Sequence, residues 1–66
     1  MNETGAVVVG VKGSKFTVIL REEDEGYSAQ VIELPGCISE GKTKKKVIAN
    51  IREAIERALL RLSPKI

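Results

Sequence analysis

Residues 43–62 read TKKKVIANIREAIERALLRL. Within this stretch Val47, Ile48, Ile51, Ala54, Ile55, Ala58, Leu59 and Leu62 recur every three or four positions, which collects them on one stripe of a 3.6-residue helix. Thr43 is the expected N-cap, because its hydroxyl can accept a hydrogen bond from one of the orphan amides of the first turn. Pro64 closes the segment, since proline cannot continue a helix. The pattern therefore predicts one amphipathic helix from about Lys44 to Leu62. On its outer face Glu53 precedes Arg57 by four residues, the favourable order for a surface pair worth about 0.3 kcal/mol.

Upstream of Thr43 the period is two. Phe16, Val18 and Leu20 alternate with Thr17, Ile19 and Arg21, and Tyr27, Ala29 and Val31 alternate with Ser28, Gln30 and Ile32. Before them Ala6–Val11 is rich in valine and ends at Lys12-Gly13-Ser14-Lys15, where the glycine can supply the positive φ of a tight turn. Glu22–Gly26 reads as an acidic loop that turns the chain back, and the return strand is expected to reach about Leu34. Pro35-Gly36 fits the central positions of a type II turn, leaving Cys37–Glu40 for a third, short strand before Gly41. The expected fold class is α+β: an antiparallel meander sheet of three to four strands, with the C-terminal amphipathic helix packed on one face.

A chain of 66 residues holds one domain, and one this small usually needs a disulfide, a metal or a partner subunit to be comfortably stable. Cys37 is the only cysteine and there is no histidine, which removes an internal disulfide and a zinc cluster of Cys and His ligands. Self-association remains. The strands also place apolar groups on both faces, Phe16, Val18 and Leu20 against Ile19 and Ile32, while one helix covers only one face. A homodimer or higher homo-oligomer is the expected solution, formed through the open sheet face or along an edge strand such as Ala6–Val11. The net charge of +2 is close to balance and argues against a generic, highly basic nucleic-acid binder. No apolar run is long enough to span a bilayer, and Met1 is followed by Asn2 and Glu3 rather than a basic leader, so a cytoplasmic location is expected and no membrane partner.

Catalytic machinery is not visible. Without histidine neither a Ser-His-Asp arrangement nor an activated Cys37 can be assembled, and Cys37 reads as a small buried hydrophobe. The acidic run Glu22, Glu23, Asp24 and Glu25 has three readings: a docking surface for a basic partner, a divalent-ion site, or a solvated hairpin tip. Ion-dependent hydrolysis needs carboxylates converging from separate elements, whereas four consecutive loop acids splay apart. Tyr27, next to the turn, either presents its ring to a partner or covers the end of the core. The basic run Lys42, Lys44, Lys45 and Lys46 lies where cations oppose the helix dipole, by roughly 0.3–1 kcal/mol per well-placed charge. It is either a phosphate-binding cluster or a solvated patch, and no aromatic residues are interleaved to stack on bases. No catalytic, cofactor or metal residue is expected.

Four short segments occur in a recognisable order: Glu25-Gly26-Tyr27, then Glu33-Leu34-Pro35-Gly36-Cys37, then Glu40-Gly41-Lys42-Thr43, then Ala49-Asn50-Ile51-Arg52-Glu53-Ala54-Ile55. Together, from Phe16 to Glu56, they resemble the HicB-like antitoxin family. The resemblance implies a partial ribonuclease-H-like fold and a partner, a small basic HicA-like toxin that cleaves messenger RNA and is silenced by stoichiometric binding. On that reading Glu22, Glu23, Asp24, Glu25 and Tyr27 face the toxin. Many such antitoxins continue into a DNA-binding domain; residues 1–66 match the toxin-facing part alone, and direct operator binding is not expected. A nucleic-acid-binding adaptor and an orphan homo-oligomeric regulator are the alternative expectations. A ribonuclease-H-like scaffold does not by itself imply nuclease activity.

Overall fold

The computed structural model describes residues 4–62. Four strands, β1 (Thr4–Val11), β2 (Ser14–Glu23), β3 (Gly26–Val31) and β4 (Ile38–Gly41), form one antiparallel sheet in the order β1-β2-β3-β4, followed by the helix α1 (Lys44–Leu62). The expected α+β meander with one C-terminal helix is thus the fold. The helix bounds agree with the periodicity, and Thr43 caps it as expected: Lys46 N–H donates to Thr43 Oγ1 at 3.1 Å, and Val47 N–H donates to the Thr43 carbonyl at 2.9 Å. Pro64 lies outside the described residues.

Alternation sorts the strands into two faces. Val9, Val11, Phe16, Val18, Leu20, Ala29, Val31 and Cys37 point to the helix, where they enclose Val47, Ile51 and Ile55 in one buried apolar cluster. The other face carries Val8, Ile19, Ile32 and Ile38. No described residue covers it, and Val8 is 67% exposed, Ile32 58% and Ile38 59%.

Several boundaries differ from those expected. β1 starts at Thr4, earlier than Ala6, and is joined to β2 by Lys12-Gly13 alone; both residues have positive φ, 51° and 81°, the signature of a type I′ hairpin. Glu22 and Glu23 belong to β2 and not to a loop. They pair with Tyr27 and Gly26, so only Asp24-Glu25 remain as the turn. At the end of a ladder both faces are near solvent, and a carboxylate can occupy a strand there at little cost. β3 stops at Val31, short of Leu34. Ile32 N–H still reaches the Thr17 carbonyl at 3.0 Å, but the chain then bends, and Thr17 N–H is satisfied by Glu33 Oε1 at 2.8 Å. The Pro35-Gly36 turn is as expected, with Gly36 at φ 86° and Cys37 N–H donating to the Leu34 carbonyl at 3.0 Å. Leu62, expected on the apolar stripe, is 69% exposed. Burial fades along the helix, from the fully buried Val47, Ile51 and Ile55 through the half-buried Ala58 and Leu59 to the exposed last residues.

The helix is seated by two glycines. A Cβ on Gly41 would lie 2.5 Å from the Val47 nitrogen and 2.8 Å from its Cα. One on Gly26, which has φ 146°, would lie 2.6 Å from the Gly41 carbonyl oxygen. Gly41→Ala is therefore expected to cost about 1–3 kcal/mol in denaturant unfolding, as overpacking against backbone does. Gly5→Ala, with nothing within 4 Å of the added methyl, serves as a near-silent control. Thr43→Ala should cost about 1 kcal/mol in the same assay through loss of the cap.

Candidate functional site

The acidic hairpin and the lysine run, distant in sequence, occupy the same end of the molecule. β2 and β3 carry Glu22–Tyr27 to that end, and β4 delivers Gly41 opposite Tyr27, so the chain enters α1 there with Lys42 and Lys44–Lys46 exposed around its first turn. The acids do not converge. Glu22 turns toward the helix side and is half-buried, whereas Glu23 turns to the open face, where Ser28 Oγ donates to its Oε2 at 3.1 Å. Asp24 and Glu25 stand exposed at the tip. Among the described residues no cluster of three or more His, Cys, Asp or Glu side chains is placed to hold a metal ion.

Tyr27 is half-buried and packs against the apolar core, so its ring closes the end of the cluster. It also lines a cleft of about 420 Å³ between β1 and the start of α1, together with Gly5, Ala6, Val7, Leu20, Glu22 and Lys44. One residue of the acidic run, Glu22, and one of the basic run, Lys44, thus line the same cleft. A larger groove of about 590 Å³ lies along the other side of the helix, between Leu34–Ser39 and the helical residues Asn50, Ala54, Arg57, Ala58 and Arg61. Its lining is mixed, apolar at Leu34, Pro35, Ala54 and Ala58 and polar at Ser39, Asn50, Arg61 and the Glu53–Arg57 ion pair, and periodicity alone did not bring Leu34 and Pro35 to face α1.

Sequence reasoning also missed the roles of two helical polar residues. Asn50 and Arg52 flank the buried Ile51 and reach in opposite directions. Asn50 Nδ2 donates to the Glu40 carbonyl on β4 at 2.7 Å, and Arg52 Nη1 donates to the Gly10 carbonyl on β1 at 2.7 Å. The helix thus ties itself to both edge strands. The available signal was positional, one polar residue on each side of the apolar stripe. Cys37 is buried, and burial pushes its thiol pKa up, the direction opposite to an activated nucleophile. No helix among the described residues is long and apolar enough to cross a membrane.

Comparison with known proteins places the chain beside short proteins that share one name. It is 50% identical over 42 residues to a protein of Thermoplasma acidophilum, covering 62% of this chain and 61% of that one. Its curated relatives are UPF0150 proteins. The UPF0150 protein of Helicobacter pylori is 42% identical over 41 residues, 62% of this chain and 57% of its own. A UPF0150 protein of Synechocystis is 41% identical over 44 residues, 67% and 64% respectively. The chain spans about six-tenths of the length of these UPF0150 relatives, and their names state no activity. No family model and no solved structure matches.

The Thr17 amide holds the Glu33 carboxyl below the usual glutamate pKa. A carboxylate whose pKa is lower folded than unfolded adds stability above the ordinary glutamate range and loses it as the pH falls through the lowered value. The difference in Tm between the wild type and Glu33→Gln should accordingly narrow between neutral pH and about pH 3.

Proposed function

We propose that this chain is an antitoxin-like, non-enzymatic binding module that silences a HicA-like, messenger-RNA-cleaving toxin by stoichiometric protein contact. The observation that carries the reading is the acidic hairpin: Asp24 and Glu25 form a two-residue tip on strands built into the sheet, with Glu22 and Glu23 behind them. A basic RNA-binding surface is the complementary partner. A preformed, like-charged projection speeds encounter and rejects partners of the wrong sign. The motif residues behind the resemblance to HicB-like antitoxins also have structural work in this chain. Gly26 and Gly41 seat the helix, Pro35-Gly36 make the turn into β4, and Thr43 caps α1. The resemblance therefore extends to the features that shape the scaffold. Action on messenger RNA cleavage places the protein in the cytoplasm and requires neither a cofactor nor a catalytic group.

The test is co-purification with a HicA-like toxin, followed by RNA cleavage with and without the chain. A stable complex in which cleavage stops is the expected result. Asp24→Lys/Glu25→Lys should weaken the complex by about tenfold or more at low salt, chiefly through slower association. Absence of any complex would end this reading. If the chain then bound RNA or DNA with steep salt dependence, lost on replacing Lys42, Lys44, Lys45 and Lys46, the adaptor reading would replace it.

A further inference from the structure

The sheet has two edges, and they are protected unequally. In the β1–β2 hairpin the pair Val11–Ser14 closes a two-residue loop, so Val11, Val9, Val7 and Gly5 bond inward to β2 while the main-chain groups of Gly10, Val8, Ala6 and Thr4 point outward. The Arg52 bond to the Gly10 carbonyl lies on this outer side. On β4 the outward groups belong to Ile38 and Glu40, and Asn50 occupies the Glu40 carbonyl. β4 is only four residues long and carries a charge. β1 has eight residues, with no charged side chain and no proline from Thr4 to Val11. Val7 and Val8 are both exposed, one on each side of the sheet. Sheets ordinarily blunt an edge of this kind with lysine, proline, a bulge or a covering element.

We infer that β1 is the interface with a second copy of this chain, pairing antiparallel about a two-fold axis at Ala6 so that two four-stranded sheets become one of eight strands. In this register Ala6 faces Ala6 of the second copy and Thr4 faces Val8, so the pairing of described residues ends short of the Gly10 carbonyl that Arg52 holds. Charge selects a second copy. The hairpin Lys12–Lys15 lies at one end of the sheet with Arg52 near it, and Glu22–Glu25 at the other. The two-fold brings the basic end of each copy alongside the acidic end of the other: Lys12, at the tip of the second copy's β1, lies two strand spacings or about 10 Å from the β2 strand that carries Glu22 and Glu23, and Lys15 three spacings or about 15 Å. Each copy supplies both halves of this match, so the contact closes on itself and stops at two. The paired stretch is short beside an interface of about 800 Å² per partner, so the dimer is a weak one that tightens at low salt. The inference stands apart from the toxin reading and does not need it.

Sedimentation or light scattering from low micromolar to submillimolar protein tests it, with circular dichroism to report folding. The wild type should reach twice its 7.2 kDa mass. Ala6→Pro removes an outward N–H and no bond to β2, and Val8→Lys places a charge on the edge; both should remain folded and run as monomers. Should Ala6→Pro not fold, Val8→Lys decides. A monomeric wild type throughout the range, or folded Ala6→Pro that stays dimeric, overturns the inference. So does a dimer split by Ile38→Glu, on the open face at the opposite edge, but not by Ala6→Pro.

Discussion

Three backbones meet where this small fold is held together. The Gly41 carbonyl lies where a side chain on Gly26 would be, and the first turn of the helix, at Val47, lies where a side chain on Gly41 would be. Without side chains between them, β3, β4 and α1 approach closely enough for Val47, Ile51 and Ile55 to reach the sheet. Those three residues, all fully buried, supply the helix's share of the core. In a chain with no disulfide and one modest cluster, displacing this seat would cost a large part of a marginal stability. Asn50 and Arg52 then hold the orientation, one tied to each edge of the sheet.

The same seat determines how charge is presented. Because the chain passes directly from Gly41 into α1, the lysines of the first helical turn arrive beside the acidic hairpin, and Lys44 and Glu22 share a cleft with Tyr27. Two features that read as rival sites in one dimension are thus neighbours in three. A partner approaching this end meets a mixed field, acids at the tip and lysines behind. The basic β1–β2 hairpin lies at the far end, so the sheet is polar along its length.

Much of this was legible in the sequence because it depends on local rules. A 3.6-residue stripe that follows a capping threonine located the helix, which runs Lys44–Leu62 among the described residues. Pro35-Gly36 announced its turn, and alternation in Phe16–Leu20 announced the inward face. The errors arose where a tertiary partner replaced a local preference. Acidic residues suggested a loop at Glu22 and Glu23, yet pairing with Tyr27 and Gly26 kept them in the strand. The return strand was expected to run on because Ile32 and Leu34 are apolar, but a carboxylate from Glu33 took over the ladder bond that would have continued it. Leu62 matched the stripe but is 69% exposed, at the end of a helix whose burial fades after Ile55.

By itself the sequence determined the elements, their order and the inward-facing rows of β2 and β3, since periodicity and turn residues act within a few residues of one another. Only the tertiary structure decided which glycines admit a backbone, which helical side chains reach the edges, and which charged runs share an end. Those outcomes depend on distances between segments far apart in the chain, set by packing of the whole domain.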